Sequence, residues 1–163
     1  MPHKYDKIIE HFSEAFSEMR RIGLADAVAK GGVGEILLAG CLNHELRASD
    51  KGADGVSPEG KRYEYKVSIT NQFNFHFGTR EENDPPKQKV ERHFKDIDGA
   101  YCAFRNGTKF KTIAYCPTET LRPVLIAHFE KESGNQLNKV FSFEAFLKLP
   151  GATVIPIPKE FQA

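Results

Sequence analysis

The chain has 163 residues, of which 40% are hydrophobic and 28% are charged, with a formal net charge of +1 and a pI of about 7.7. These values are typical of a single globular domain, and they exclude a protein coated in positive charge for non-specific nucleic-acid binding. No apolar run approaches the ~20 residues of a membrane span, and the N-terminus lacks the apolar core of a signal peptide, so we expect a cytoplasmic protein with no membrane partner.

The first predicted element is an amphipathic helix over residues 4–22, because apolar side chains recur there at the spacing of one helical face. These side chains are Ile8, Phe12, Phe16 and Met19. Such a stripe either packs in the core of the domain or forms the interface of a homodimer, and the sequence leaves both interpretations open.

A second helical region follows. A short helix is predicted over residues 24–30, and the pair Gly31-Gly32 interrupts the chain before a helix predicted over residues 33–46. The nearly continuous apolar run Ile36-Leu37-Leu38 indicates that this helix is buried against a sheet. Glu35 lies in its first turn, where it either interacts favourably with the helix N-terminus or serves as an auxiliary acid near a metal ion.

The next segment predicts a β-hairpin that brings two carboxylates and an ammonium group together. Asp54 lies at the end of a short strand, Ser57-Pro58-Glu59-Gly60 has the composition of a turn, and residues 62–68 form an extended strand. Because side chains alternate along a strand, Glu64 and Lys66 project from the same face, and the hairpin returns Asp54 beside them. Two hard oxygen ligands suit Mg²⁺. The alternative is an ordinary charge pair on a solvated hairpin.

This arrangement resembles the PD-(D/E)xK nuclease superfamily, in which an acidic residue is followed, after a spacer, by an acid-x-Lys motif on the next strand. Here nine residues separate Asp54 from Glu64-Tyr65-Lys66. The similarity extends to the small type II restriction endonucleases, which also have a double glycine before an apolar helix, as at Gly31-Gly32. It covers residues 30–68 clearly and the rest of the chain more loosely. Ala53 departs from the pattern, since many members have proline there, and Tyr65 is a bulky residue at x.

The resemblance implies a fold, a cofactor and a set of roles. The fold is α/β, with a central mixed β-sheet flanked by helices and a restriction-endonuclease-like core. Asp54, Glu64 and the main-chain carbonyl of Tyr65 would bind Mg²⁺, for which Mn²⁺ can substitute. Lys66 would orient the attacking water, and Glu35 would complete the catalytic group as the auxiliary acid.

The segment after the catalytic strand, residues 68–78, alternates almost perfectly between aromatic and polar side chains. Its phenylalanines would face the core, and its amide and imidazole groups are of the kind that read base edges in DNA. In the family that the chain resembles, this segment enters the DNA groove. The candidate DNA-binding residues here are Asn71, Gln72, Asn74 and His76. A half-buried strand with a polar outer face is the alternative.

A polar loop over residues 79–86 and a short basic helix over residues 86–95 are predicted next. Lys87 and Lys89 are candidate phosphate contacts, and His93 could contact phosphate as well. The wider basic candidates are Arg92, Lys95, Arg105, Lys109 and Lys111. A solvated charged face is the alternative for all of them.

The C-terminal half predicts two strands and two helices. Strands over residues 99–105 and 110–116 flank a turn at Asn106-Gly107. Helices capped by Thr118 and Ser142 follow, running to about residues 131 and 147, and residues 152–157 form a last strand or a tail. The three cysteines lack a CxxC motif and indicate buried free thiols in a reducing compartment: Cys41, Cys102 and Cys116.

We therefore expect one nuclease domain over residues 1–163. Its parts are a helical region over 1–46, a catalytic sheet with the DNA-reading strand over 50–116, and C-terminal helices and a tail over 117–163. The expected activity is that of a Mg²⁺-dependent type II restriction endonuclease, which cuts double-stranded DNA at a short palindrome as a homodimer and leaves 5′-phosphates. A cognate DNA methyltransferase would share the cell without being a bound partner. The alternatives are a structure-selective or nicking repair or recombination nuclease on the same fold, and a non-catalytic DNA-binding protein.

Overall fold

The structure, a computed structural model, describes residues 6–23, 32–47 and 52–163. The chain divides into two units, Met1–Val33 and Gly34–Ala163. In the first unit, helix α1 spans Asp6–Arg21, which confirms the predicted N-terminal helix. The apolar side chains Ile8, Ile9 and Phe12 on α1 are all more than half exposed. The predicted helix over residues 24–30 lies outside the described residues.

The second unit contains eight strands and four α-helices in its described residues. The strands are β1 (Glu45–Leu46), β2 (Gly55–Val56), β3 (Arg62–Ser68), β4 (Gln72–Thr79), β5 (Gly99–Asn106), β6 (Lys109–Pro117), β7 (Gln136–Ser142) and β8 (Thr153–Val154). The helices are α2 (Val33–Leu42), α3 (Pro86–His93), α4 (Thr118–Lys131) and α5 (Phe143–Leu147), followed by a short 3₁₀ helix at Lys159–Phe161.

Six strands form a central mixed sheet in the order β1-β2-β3-β5-β6-β8. The pair β3–β5 is parallel, and every other pair in this sheet is antiparallel. The connection between β3 and β5 carries β4 and α3, and β4 pairs with β7 in a separate antiparallel ribbon. The fold is therefore mixed α/β, with a central sheet flanked by helices.

The core lies in two layers on opposite faces of the central sheet. One layer joins α3, α4 and α5 to β4, β7 and the small side chains Ala100 and Cys102 of β5. The other packs Leu38 of α2 against Tyr63 and Tyr65 of β3. The three cysteines are free and buried, as predicted. Within the described residues, no helix has the length and apolar character to cross a membrane.

Three local predictions differ from the structure. Helix α2 ends at Leu42 rather than near residue 46, because Asn43 adopts a left-handed φ of 55° and the chain then enters β1. Thr118 is the first residue of α4 and does not cap it; Pro117 occupies the N-cap position without a side-chain bond. Strand β7 was not predicted. The Ser142 cap is confirmed, since its Oγ accepts a hydrogen bond from the Ala145 amide.

Candidate active site

The β2–β3 hairpin fixes Asp54 beside the catalytic strand. The two strands are antiparallel and Gly55 pairs with Tyr63. Asp54, one residue before Gly55, therefore lies opposite Glu64, one residue after Tyr63. The Asp54 amide donates to the Tyr63 carbonyl at 2.9 Å, and the Tyr65 amide donates to Asp54 Oδ2 at 2.6 Å. The backbone of β3 therefore orients the Asp54 carboxylate directly. The sequence predicted that the hairpin would return Asp54 to this strand.

Glu64 and Lys66 lie on one face of β3, and each oxygen of the Glu64 carboxylate has a partner. Lys66 Nζ donates to Oε1 at 2.5 Å, and His93 Nε2 lies 3.1 Å from Oε2. The Glu64 side chain is only 6% exposed, whereas that of Lys66 is 26% exposed. Lys66 thus reaches from the buried carboxylate toward solvent, and its Nζ lies 5.5 Å from the centroid of the Phe75 ring.

The two acids differ sharply in their ease of ionisation. Burial, together with the charges of Glu64 and Glu35, raises the pKa of Asp54 to about 7, despite the hydrogen bond from the Tyr65 amide. Burial also opposes ionisation of Glu64, but the hydrogen bond from His93 and the charge of Lys66 outweigh it and lower the pKa of Glu64 to about 2. The site therefore concentrates negative charge that Lys66 only partly neutralises.

Burial and neighbouring charges also shift the pKa values of Glu35 and Lys66. Burial raises the pKa of Glu35, the charge of Lys66 lowers it, and the charge of Glu64 raises it again. Burial would lower the pKa of Lys66, yet its contact with Glu64 raises it above its ordinary value. Glu35 is thus close enough for the charges of Lys66 and Glu64 to affect its pKa.

A cavity of about 560 Å³ opens beside the acids. Asp54, Glu64 and His93 line it, and so do three cationic side chains, Arg62, Arg92 and Lys95. The three cations are of the kind that bind phosphate, and they lie next to the carboxylates that would bind a metal ion. The sequence singled out Arg92 and Lys95 as basic candidates, but it did not single out Arg62.

The donor set suits Mg²⁺. This ion commonly takes one or two carboxylates and completes its shell with water and phosphate oxygens. Asp54 and Glu64 are two such carboxylates, and a cation would offset both the burial of Asp54 and the charge of Glu64, which together raise the pKa of Asp54. Among the described residues, no group of three or more His, Cys, Asp or Glu side chains forms a ready-made metal cage. A metal bound here would thus depend on water and phosphate for its other ligands.

Tyr65 contributes to the site through its main chain alone. Its ring points to the opposite face of β3 and is buried, and its hydroxyl lies 2.7 Å from His44 Nδ1. The bulk of this side chain, a departure from the family pattern, is therefore accommodated away from the acids.

The predicted DNA-reading residues of β4 lie on its outer face. Gln72, Asn74 and His76 are exposed, while the phenylalanines Phe73 and Phe75 between them are buried. His76 Nε2 lies 3.0 Å from Oε1 of Gln136 on β7, so the polar face continues onto the neighbouring strand.

Two of the other predicted DNA contacts, Asn71 and Lys89, are already engaged within the protein. Asn71 donates to Glu144 at 3.0 Å and accepts from the Phe143 amide at 3.3 Å, and so ties β4 to α5. The Lys89 side chain is only 8% exposed, and its Nζ bonds the Thr79 carbonyl and Glu81. Neither group is available to DNA in this arrangement.

Lys87, in contrast, lies in the first turn of α3 with its side chain 61% exposed and a distant ion pair to Glu91 at 3.9 Å. Of the two lysines predicted to contact phosphate, Lys87 is the accessible one.

His93 is the residue of the site that sequence reasoning placed least well. The sequence offered it only as a residue that could contact phosphate, whereas in the structure it pairs with Glu64. The two residues lie 29 positions apart, on α3 and β3, and no short motif links them. Only the return of the β3–β5 connection over the sheet brings them together.

Comparison with models of known protein families and with curated proteins finds no match for this chain. The arguments for function therefore depend on the geometry of the site.

Proposed function

We propose that this protein is a Mg²⁺-dependent endonuclease of double-stranded DNA, built on a restriction-endonuclease-like core of the PD-(D/E)xK type. One observation carries the proposal. The hairpin register sets Asp54 opposite the buried Glu64, with Lys66 on the same face of β3, at a cavity lined by cations. This combination supplies metal ligands, a proton-bearing ammonium and phosphate-binding groups at one point.

Each residue has a distinct role in the proposed reaction. Asp54, Glu64 and the Tyr65 carbonyl would bind Mg²⁺, or Mn²⁺ in its place, and Glu35 would bind waters of the metal shell. The bound metal would acidify a water and neutralise negative charge on the scissile phosphate. Lys66 would donate hydrogen bonds to that water and to the phosphate, which orients the attack in line with the leaving oxygen. The products would carry 5′-phosphate and 3′-hydroxyl ends.

The DNA would lie along the cavity and the polar outer face of β4. Arg62 and Lys95 are suited to phosphate oxygens beside the acids, while the exposed amides of Gln72 and Asn74 are suited to base edges. One centre cuts one strand, so a two-fold homodimer acting on a palindrome would cut both. The exposed apolar stripe of α1 is a candidate for the surface through which copies pair.

In more detail, we propose that the protein is a type II restriction endonuclease that acts in the cytoplasm, in a cell that also contains a cognate DNA methyltransferase. The polar strand β4, directly after the catalytic strand, supports site recognition over recognition of DNA structure. A repair or recombination nuclease with the same centre would instead nick DNA or prefer branched substrates.

A non-catalytic DNA-binding protein is the second candidate. One observation favours it: both oxygens of Glu64 already have partners within the protein, as in a purely structural ion-pair network. Under this hypothesis Asp54 and Glu64 would bind no divalent metal, and the charged face of β3 would serve folding alone.

The decisive experiment is to incubate the purified chain with unmodified plasmid and phage DNA, in Mg²⁺ or in EDTA, and to sequence the ends of any fragments. Discrete Mg²⁺-dependent fragments that share a palindrome are the expected result. A Lys66→Ala variant purified in parallel would reveal a contaminating nuclease, because contamination would cut DNA equally in both samples. Nicks, or cuts confined to branched DNA, would favour the structure-selective nuclease, and no cleavage would favour the binding protein.

A further inference from the structure

His93 contacts the most buried acid of the site. Its Nε2 lies 3.1 Å from Oε2 of Glu64, whose side chain is only 6% exposed. The other oxygen of Glu64 belongs to Lys66. Glu64 accepts from the Lys66 ammonium through one oxygen, and a carboxylate offers only acceptor atoms, so His93 Nε2 is the donor in this contact.

The imidazole ring is fixed in place by aromatic neighbours. It lies edge-on to Phe77 of β4, with centroids 5.1 Å apart and planes at 80°, and edge-on to Phe94, at 4.8 Å and 84°. Phe77 and Phe94 also contact each other. Helix α3 and strand β4 therefore present the Nε2–H group to Glu64 in one orientation, at the wall of the cavity.

We propose that His93 is a positioning residue for the metal ligand Glu64, which it orients through the Nε2–H···Oε2 hydrogen bond. The inference rests on the proposed function, because it assumes that Glu64 binds the metal. Outer hydrogen-bond partners of metal-ligating groups fix the ligand orientation, and their loss typically weakens metal binding by about 10- to 100-fold. His93 thus acts on the metal through Glu64 Oε2, while Lys66 contacts the other oxygen of the same carboxylate.

Three substitutions separate the hydrogen bond from the packing of the ring. In His93→Gln, the side-chain amide reaches about as far as Nε2 and keeps a donor. In His93→Asn, the amide is one methylene shorter and cannot reach Glu64. In His93→Phe, the aromatic contacts with Phe77 and Phe94 remain while the donor is lost.

The measurement is Mn²⁺ binding to the full chain without DNA, followed by the loss of the free-Mn²⁺ electron paramagnetic resonance signal. We expect His93→Asn and His93→Phe to weaken Mn²⁺ binding about 10-fold, and His93→Gln to remain within about threefold of the wild type. The Mn²⁺ concentration for half-maximal cleavage should follow the same order as the binding.

The outcomes distinguish this inference from the proposed function. If the wild type binds Mn²⁺ and the Asn and Gln variants bind it with equal affinity, the positioning role is overturned and the proposed function stands. If the wild type binds no Mn²⁺, either alone or with DNA present to supply phosphate ligands, both are overturned. Should His93→Phe fail to fold, as judged by urea unfolding, the Asn and Gln pair alone decides the matter.

Discussion

Strand β3 has seven residues, and its two faces carry buried side chains of different kinds: aromatic on one face and charged on the other. On one face, Tyr63 and Tyr65 pack with His44, Tyr101 and aliphatic side chains. On the other, Glu64 and Lys66 form a charged network with His93 and Asp54. Alternate residues of one strand thus have different roles: the tyrosines stabilise the fold, and the charged residues are proposed to carry the chemistry.

The two faces differ in the free-energy cost of burying their polar groups. The tyrosine face is neutral, and its one deeply buried hydroxyl, that of Tyr65, has a partner in His44. The charged face buries Glu64 beside the half-buried Asp54, and the partial burial of Asp54 together with the charge of Glu64 makes Asp54 reluctant to ionise. A strand selected for stability alone would not need these acids, so substitutions on the two faces should have separable effects.

The largest expected effect is on the charged face. Lys66→Ala should reduce cleavage at least about 10³-fold, because it removes the group that orients the water and stabilises charge on the phosphate. DNA affinity in metal-free buffer should change little. The exposed Lys131→Ala, on α4, is a matched control that removes the same charge elsewhere, and it should cut like the wild type. Wild-type cleavage by Lys66→Ala would remove the assignment of the centre.

The next effect is on the tyrosine face. A Cβ added at Gly55 would overlap the buried ring of Tyr65, which has no room to move away. Gly55→Ala should therefore lower the free energy of unfolding by about 2–3 kcal/mol, as measured by urea denaturation. Gly134→Ala is the control, since nothing lies within 4 Å of its added Cβ. Equal stability of the two variants would show that the tyrosine face is loosely packed.

Asp54→Asn should combine loss of cleavage with a gain in stability. The folded-state pKa of Asp54 is raised from 3.8 to about 7, so the metal-free folded chain binds this proton more tightly than the unfolded chain does. The carboxylate therefore destabilises the fold progressively as the pH rises from about 4 to about 7. Relative to the wild type, Asp54→Asn should be more stable by about 1–3 kcal/mol at pH 8 and by almost nothing near pH 4.

Urea unfolding of both proteins in EDTA at the two pH values measures this difference. Adding Mg²⁺ should stabilise the wild type and leave Asp54→Asn unchanged, because only the wild type has both carboxylates. A variant less stable than the wild type at pH 8 would contradict the raised pKa of Asp54.

The smallest expected effect is that of a substitution on the tyrosine face. Tyr65→Phe removes the hydroxyl that lies 2.7 Å from His44 Nδ1 and leaves a buried nitrogen with one partner fewer. We expect a loss of about 1 kcal/mol of unfolding free energy, with metal-dependent cleavage unchanged. A strong loss of cleavage with normal stability would mean that the two faces are coupled and that the division of roles is wrong.

The local features of this fold were accessible from the sequence. The turn at residues 57–60, the alternation along β3 and β4, and the Ser142 cap are set by neighbouring residues, so their patterns predict them. The approach of Asp54 to Glu64 was predictable for the same reason, because a single tight hairpin joins the two acids.

The features that escaped prediction depend on distant parts of the chain. Strand β7 has few strand-forming residues, with Gln136, Asn138 and Val140 exposed on its outer face, and it exists because β4 offers it an edge. The contact of His93 with Glu64 requires the return of α3 over the sheet. Lys89 resembles a free cation in the sequence, yet it is buried because Glu81 and the Thr79 carbonyl lie in the loop beside it.

The separate ribbon of β4 and β7 also has a consequence for the order in which the chain assembles during synthesis. Eleven positions separate Asp54 from Tyr65 in the hairpin, whereas 60 separate His76 from Gln136 across the ribbon. Short-range contacts close first, and a growing chain cannot close the ribbon before β7 has left the ribosome. A nascent chain would therefore bring Asp54 and Glu64 of the proposed cutting centre together before β4, the proposed DNA-reading strand, acquires its partner strand.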